Sequence, residues 1–520
     1  METKILEGEY WWGGCVVGSE KMPFHSETVF KIDLERERRT QSAPLFLSSK
    51  GRFIWCEEPF AIEFNRGTIT ASCEYDSPII LSEEGKNLRD AYINAMNAYF
   101  PFEKDIHTPR EFYEHPQFNT WMELIKNQNE KDIIRYAEEV VENGYTPGIL
   151  MIDGGWQKKQ GVWDFNPELI SDPKGMVDRL HELGFIVMIW VSPFICTEGD
   201  HFLSMYQPRA TESGDEIRRD NHFVRVGNGD LCITKWWSGF SAIHNFMLPD
   251  DCAEMDAQLG RLMNEFGFDG FKFDGGSYLP NSFYNGTDIY GGYTFAQLSQ
   301  AWVRYGSKYK YHEYKDTWKM GGYHTVQRLW DKRHNWKNNG LDCLIPNGIF
   351  TGLIGCPFIC PDMVGGGEWT CAAYGTFQDE LFVRMAQASA LFPMMQFSAF
   401  PWRHLSPEAS EICHNMARLH EKMFPVIEKF LTIAETTGEP MVRHLAYQFP
   451  DEGYETVNDM FMLGDEYLVA PVVEEGQREK TVRLPQGTKW VNDLGIEYEG
   501  GTSVTENVPL ERLVYYKRIG

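Results

Sequence analysis

Asp274 is the residue from which chemistry can first be read. It closes the run Gly267-Phe268-Asp269-Gly270-Phe271-Lys272-Phe273-Asp274-Gly275-Gly276, where apolar and polar residues alternate up to the carboxylate and two glycines then break the strand. The pattern predicts a buried parallel strand that delivers an acid to its carboxyl end, followed by a turn open enough for a ligand to approach. Barrel enzymes keep their chemistry at that end of their strands. Lys272 stands two residues before Asp274 and so shares its face of the strand. An ammonium there would hold the carboxylate ionised or donate to a ligand hydroxyl; an ordinary ion pair at the barrel mouth is the plainer alternative. A lone strand-terminal Asp can equally cap the next turn. Repetition elsewhere in the chain decides against that.

Other segments end in the same way. Pro147 to Asp153 is an apolar run closed by an Asp and followed by Gly154-Gly155-Trp156, and Phe185 to Val191 runs apolar until Ser192-Pro193. Cys356 to Asp362 leads into Met363-Val364-Gly365-Gly366-Gly367, and Phe392 to Ser398 adds one more, with Pro401-Trp402 beyond. Helix-compatible stretches, Asn129 to Asn143 and Pro173 to Leu183 among them, lie between several of these runs. Strand, loop carrying Asp or Trp, helix, strand: the alternation predicts an α/β fold, a (β/α)8 TIM barrel. Phe118-Asn119-Thr120-Trp121-Met122 is its expected first strand, and residues 105–452 its expected extent. Residues 197–240 are too long for an ordinary loop and too polar for core, which predicts a lid or subdomain insertion. Short strand-like runs with turn residues between them predict an N-terminal β-sandwich over 1–104 and a small C-terminal β-sandwich over 453–520.

Composition bounds the partners. The chain has 520 residues, too many for one core, and a net charge of −26 with no basic run. That argues against nucleic acid and against an anionic membrane surface. No stretch of about 18 apolar residues occurs, and the first residues lack a hydrophobic signal region. The 11 cysteines are an odd number scattered singly, and Cys356 and Cys360 are spaced CxxxC with no His-rich partner segment. Neither a disulfide framework nor a zinc site is supported, and a reducing cytoplasm is the expected setting. Homo-oligomerisation stays open. The surplus of 16 Trp, 24 Tyr and 34 Phe suits sugar stacking, although core packing explains most of it.

The ordered set Asp153-Gly154-Gly155-Trp156, Ile189-Trp190-Val191-Ser192-Pro193-Phe194, Phe271-Lys272-Phe273-Asp274, Pro361-Asp362-Met363-Val364-Gly365-Gly366 and Phe461 to Val472 resembles glycoside hydrolase family 31 from about residue 40 to 515. Phe-Lys-Phe-Asp and Pro-Asp-Met-Val-Gly-Gly look most like the branch that includes the α-galactosidase myogenesis-regulating glycosidase. The resemblance implies a retaining enzyme acting on α-glycosidic bonds of a small carbohydrate, with no cofactor and no metal. It carries the nucleophile to Asp274, at the end of the fourth barrel strand. The family's Gly-Asp-Asn is altered: Trp330-Asp331-Lys332-Arg333-His334-Asn335-Trp336 keeps the Asp and, five residues on, the Trp. The acid/base role falls on Asp331, with Asp316 and Asp342 as nearby competitors.

Retention takes two displacements, one carboxylate attacking the anomeric carbon while another group protonates the leaving oxygen, the two about 5–5.5 Å apart. One must be ionised while the other is protonated. Trp330 and Trp336 are expected to push Asp331 toward its protonated form. The resemblance also makes Asp153, Arg328 and Asp362 contacts to the sugar, with Trp156, Trp190, Trp336 and Trp402 beside it. A turn-capping Asp153, a core Trp190 and a packed His404 are the plainer alternatives. Where the family often carries Arg-x-His on the seventh strand, this chain has Gln396-Phe397-Ser398, which points to an altered sugar preference. The implied activity is an exo-acting α-galactosidase. An α-glucosidase, α-N-acetylgalactosaminidase, sulfoquinovosidase or transglycosylase, or a silent sugar-binding protein, are the alternatives.

Overall fold

Short buried runs, several of them apolar on both faces, make the barrel staves. In the computed structural model they are β1 (Gln117–Asn119), β2 (Ile149–Ile152), β3 (Ile186–Val191), β4 (Gly270–Phe273), β5 (Tyr311–Tyr314), β6 (Gln327–Arg328), β7 (Ile359–Cys360, resuming at Met363–Val364) and β8 (Gln396–Phe397). Such strands need cover on both sides, which only a core inside and helices outside provide. The structure describes residues 1–103, 107–206, 209–210, 216–217, 222–227, 229–236, 239–277, 289 and 291–520.

All pairings around the barrel are parallel, in the order β7–β6–β5–β4–β3–β2–β1–β8–β7. Pro361 and Asp362 part the two halves of β7, and only that break interrupts the ring. The fold is the expected (β/α)8 barrel. Two details differ. β1 stops at Asn119 and Trp121–Leu124 turns helical, because the Asn119 side chain accepts the Trp121 N–H at 2.8 Å. Gln396-Phe397 is the eighth strand, not the seventh.

The expected helices form with local caps. Glu130–Glu142 begins where the Asn129 side chain accepts the Asp132 N–H, and Pro173–Glu182 begins where Asp172 accepts the Gly175 N–H. Each cap satisfies a donor that a helix start leaves open.

Two antiparallel sheets precede the barrel. One runs Glu2–Lys4, Thr68–Ser72, Ala61–Asn65, Val29–Asp33; the other runs Trp11–Cys15, Gln41–Ser48, Phe53–Trp55, Ile80–Ser82. A helix, Leu88–Tyr99, lies within the same stretch and stacks Tyr99 on Trp55 at 4.4 Å. The C-terminal sheet of six strands takes its edge from Val442–Arg443, upstream of residue 453. Beside it the hairpin Glu479–Arg483 and Ser503–Asn507 completes a small β domain.

The insertion expected at 197–240 lies partly outside the described residues. Its described part contains the helix Asp200–Tyr206 and an antiparallel sheet of Phe194–Cys196, Gly239–Ile243 and Ile233–Trp236. Buried Asp251, at the start of the helix Pro249–Phe266, ties this region down: it accepts from the Phe223 and Asn245 N–H groups and pairs with His222 and His244. No helix among the described residues is long and apolar enough to cross a membrane. Each of the 11 cysteines is a free thiol.

Candidate active site

Strand ends on one side of the barrel converge on a cavity of about 520 Å³. Asp153 follows β2, Asp274 follows β4, Lys315 follows β5, and Arg328 and Asp331 lie at and beyond the end of β6; all five line it, with Lys272. Trp121 and Trp369 supply its aromatic surface, and Ile125, Lys126, Met363, Gly367 and Glu368 complete it. Register explains the convergence. Trp190 stands opposite Lys272, and Lys272 opposite Glu313, so strand ends of unlike sequence deliver their polar groups at one level.

Asp274 is 6% exposed. The Trp190 indole N–H donates to its Oδ2 at 2.9 Å and the Gly275 N–H to its Oδ1 at 2.8 Å. Gly275 turns that N–H back with φ 72°, and a Cβ there would meet the Phe194 ring at 2.8 Å. Burial pushes the Asp274 carboxyl up, but the Lys315 and Lys272 ammonium groups and the indole donor together hold it below its ordinary value. This carboxylate is ionised.

Asp331 corrects an expectation. Its Oδ2 accepts from Lys315 Nζ and its Oδ1 from Arg328 Nη1, the latter at 2.7 Å. Burial works to raise it, yet those two cations outweigh burial and hold it well below the usual carboxylate range. Trp330 and Trp336 do not set its charge, and neither lines the cavity. The neighbouring Asp316 behaves in the opposite way. Burial, with the Asp274 charge added, lifts it to about 6 against the Ser277 hydroxyl and Lys315. It does not line the cavity.

The remaining groups form a charge lattice beneath these two. Lys272 Nζ bonds Asp153 Oδ2, and the Gly154 N–H donates to Asp153 Oδ1 at 2.8 Å. Arg328 also donates to Asp362 Oδ1 at 2.7 Å. Asp362 Oδ2 accepts the Gly367 N–H at 3.0 Å. Glu313 sits deeper, where burial raises it against Arg328 and Lys272, and Gln396 Nε2 donates to it at 3.0 Å. The altered Gln396-Phe397-Ser398 therefore serves the barrel interior, since Ser398 Oγ takes the Met122 N–H at 2.7 Å.

Several expected sugar contacts are elsewhere. Trp156 is fully buried, with its indole N–H on the Trp190 carbonyl at 3.0 Å and its ring against Phe165 at 4.8 Å. Trp190 lies behind Asp274, not at the cavity surface. Trp402 stacks on Phe400 at 4.2 Å and bonds Glu139, beside Tyr145 in a separate recess. His404 pairs with Glu123 at 2.7 Å. Asp362 is buried under the cavity as an Arg328 ligand. Asp342 caps its own helix start, accepting the Gly340 N–H at 3.1 Å.

Sequence reasoning missed Lys315, Glu313, Trp369 and Gln41. Lys315 obeys the strand-end rule, but β5 (Tyr-His-Glu-Tyr) has no apolar run to announce it. Gln41 comes from the N-terminal domain. Its fully buried Nε2 donates to the carbonyls of Lys315 at 2.8 Å and Arg328 at 3.0 Å, and Thr317–Trp318 pairs with its strand. The N-terminal β domain thus braces both cations that hold Asp331.

A sequence model of the glycosyl hydrolases family 31 TIM-barrel domain matches residues 115–429, and one of the glycosyl hydrolase family 31 C-terminal domain matches 438–520. Myogenesis-regulating glycosidase of Mus musculus is 29% identical over 427 residues, 78% of this chain and 56% of its own. Sulfoquinovosidase of Escherichia coli is 22% identical over 394 residues, 71% of this chain and 55% of its own. The chain spans about half the length of these two relatives. Among solved structures, a Flavobacterium johnsoniae dextranase complexed with glucose aligns with TM-score 0.81 at 20% identity, over 100% of this chain and 66% of its own. A soil-metagenome α-xylosidase complexed with xylose gives 0.79 at 18%, over 99% and 79%. Identities this low carry the fold alone.

Proposed function

The chain belongs to glycoside hydrolase family 31, and from that premise we propose that it is a retaining, exo-acting α-glycoside hydrolase that takes α-galactosides. The observation that carries the reading is a pair of carboxylates, Asp274 and Asp331, on one cavity with Lys315 acting on both. Asp274, ionised and fixed by two donors, attacks the anomeric carbon. Asp331 protonates the leaving oxygen and then takes a proton from the incoming water. Because Lys315 and Arg328 hold Asp331 ionised, the Lys315 contact must give way as substrate enters, so that Asp331 can carry a proton. Asp153, held by Lys272, is placed to accept from sugar hydroxyls, and Trp121 and Trp369 offer ring faces.

One observation favours a second donor. Asp316, raised to about 6, holds a proton in mildly acidic solution where Asp331 does not. Geometry weighs against it, since a general acid must reach the oxygen it serves and Asp316 does not line the cavity.

The sugar rests on the branch resemblance and on Asp153 at the end of β2; an Asp in that kind of Asp–Gly–Trp grouping binds O4 and O6 in other galactosidase families. Trp156, buried, lends no support. On a panel of 4-nitrophenyl glycosides the α-galactoside should turn over faster than the α-glucoside, and no β-glycoside should react. Equal or faster glucoside turnover overturns the galactose assignment and leaves the mechanism standing. No turnover on any α-glycoside favours a silent sugar-binding protein.

Trp190→Phe tests the support of Asp274. A hydrogen bond to a charged group contributes about 1.5–3 kcal/mol, so kcat/KM should fall about 10- to 100-fold. The ionised form of Asp274 loses a donor, its pKa rises, and the acid limb of the pH profile moves to higher pH. An unmoved limb in a folded variant would mean that the indole does not tune the carboxylate.

A further inference from the structure

Among the described residues four cationic side chains line the catalytic cavity, and three are paired with carboxylates there. Lys272 is bonded to Asp153, Lys315 to Asp331, and Arg328 to Asp331 and Asp362. Lys126 is the fourth, and among the described residues its ammonium has neither a carboxylate nor a hydrogen-bond partner. Its place is set by backbone packing: a Cβ on Gly155 would strike the Lys126 carbonyl oxygen at 2.9 Å.

A second recess of about 260 Å³ shares Lys126 with the first and is lined as well by the turn Gly154-Gly155. Lys158 and Lys159 line it with Gln157 and Gln160, and among the described residues Glu198 is its one carboxylate. Lys159 Nζ is engaged by the Glu198 carbonyl at 3.1 Å; Lys158, like Lys126, has no partner among the described residues. Glu368, which also lines the catalytic cavity, accepts the Thr370 hydroxyl. Among the described residues, the end formed by Lys126, Lys158 and Lys159 therefore carries more cations than carboxylates, in a chain whose net charge is −26. A protein this acidic repels anions over most of its surface, so a local cluster of free ammonium groups at a site's mouth selects for a negative ligand group there.

Resting on the glycosidase reading, we infer that the natural substrate is an α-glycoside bearing an anionic group, a phosphate, sulfate or carboxylate, received by Lys126 and Lys158. Such a group rides either on the sugar ring or on the leaving group. Two probes separate these sources: 4-nitrophenyl α-galactoside 6-phosphate and 4-carboxyphenyl α-galactoside, each against neutral 4-nitrophenyl α-galactoside. Solvent-exposed ion pairs are individually weak, so the favoured charged glycoside should show a KM about 3- to 10-fold below the neutral one. The advantage should vanish near about 0.5 M NaCl, where such pairs are screened. It should also fall to about one in a Lys126→Gln/Lys158→Gln double variant, read as the ratio of the two KM values. Equal KM values for charged and neutral glycosides, or a ratio that survives in the double variant, overturn the inference. Calorimetric Kd values for the same three compounds carry the test even if none is cleaved: loss of all turnover sinks the glycosidase reading, while tighter binding of an anionic glycoside still supports the subsite.

Discussion

Asp274→Ala should lose turnover on every substrate alike, by more than about 10⁴-fold, whatever the leaving group. The side chain it removes supplies the atom that bonds to the sugar, so no choice of aglycone compensates. Nor does a neighbour stand in. Asp153 and Asp331, the other two aspartates on the cavity among the described residues, are committed to Lys272 and to Lys315 with Arg328. The measurement is kcat/KM on nitrophenyl and disaccharide substrates together, with a circular-dichroism melt to confirm folding. A loss that depends on the leaving group would move the nucleophile away from Asp274.

Asp331→Ala should behave differently, and the contrast separates the two roles. Nitrophenolate leaves with little protonation, so the first step on a nitrophenyl glycoside should largely survive. A disaccharide needs its leaving oxygen protonated and should lose the roughly 10²–10⁴-fold that a positioned general acid supplies. The glycosyl intermediate should accumulate on the nitrophenyl substrate, because the attacking water also lacks its base, and added azide should speed turnover. Removing Asp331 leaves Lys315 and Arg328 without their shared partner, so Asp331→Asn, which keeps the shape, is the control for packing. If Asp331→Ala hydrolyses the disaccharide normally, the proton comes from elsewhere, and Asp316 is the next residue to change.

The charge on Asp331 shows where reading the chain as a string fails. Sequence places Trp330 beside it and Trp336 five residues on, and adjacency suggests a carboxyl driven toward neutrality. Lys315 lies 16 positions away in sequence and Arg328 three, yet both point at the carboxylate once β5 and β6 pair. Adjacency along a chain says little about which side chains meet at strand ends.

What the sequence by itself determined is the repeating unit: apolar runs that need cover on both faces, acids at their carboxyl ends, and capped amphipathic helices between them. Period and burial are local properties, and the barrel, Asp153, Asp274 and the helices Glu130–Glu142 and Pro173–Glu182 follow from them. What only the tertiary structure decided is which side chains share the cavity. Every aromatic residue expected at the sugar lies off the cavity, while Trp121 and Trp369 line it. Gln41 braces two of its lining residues from another domain, 274 positions from the Lys315 carbonyl it holds. The reason is geometric: strand register and loop path set these contacts, and both depend on the closure of the whole ring.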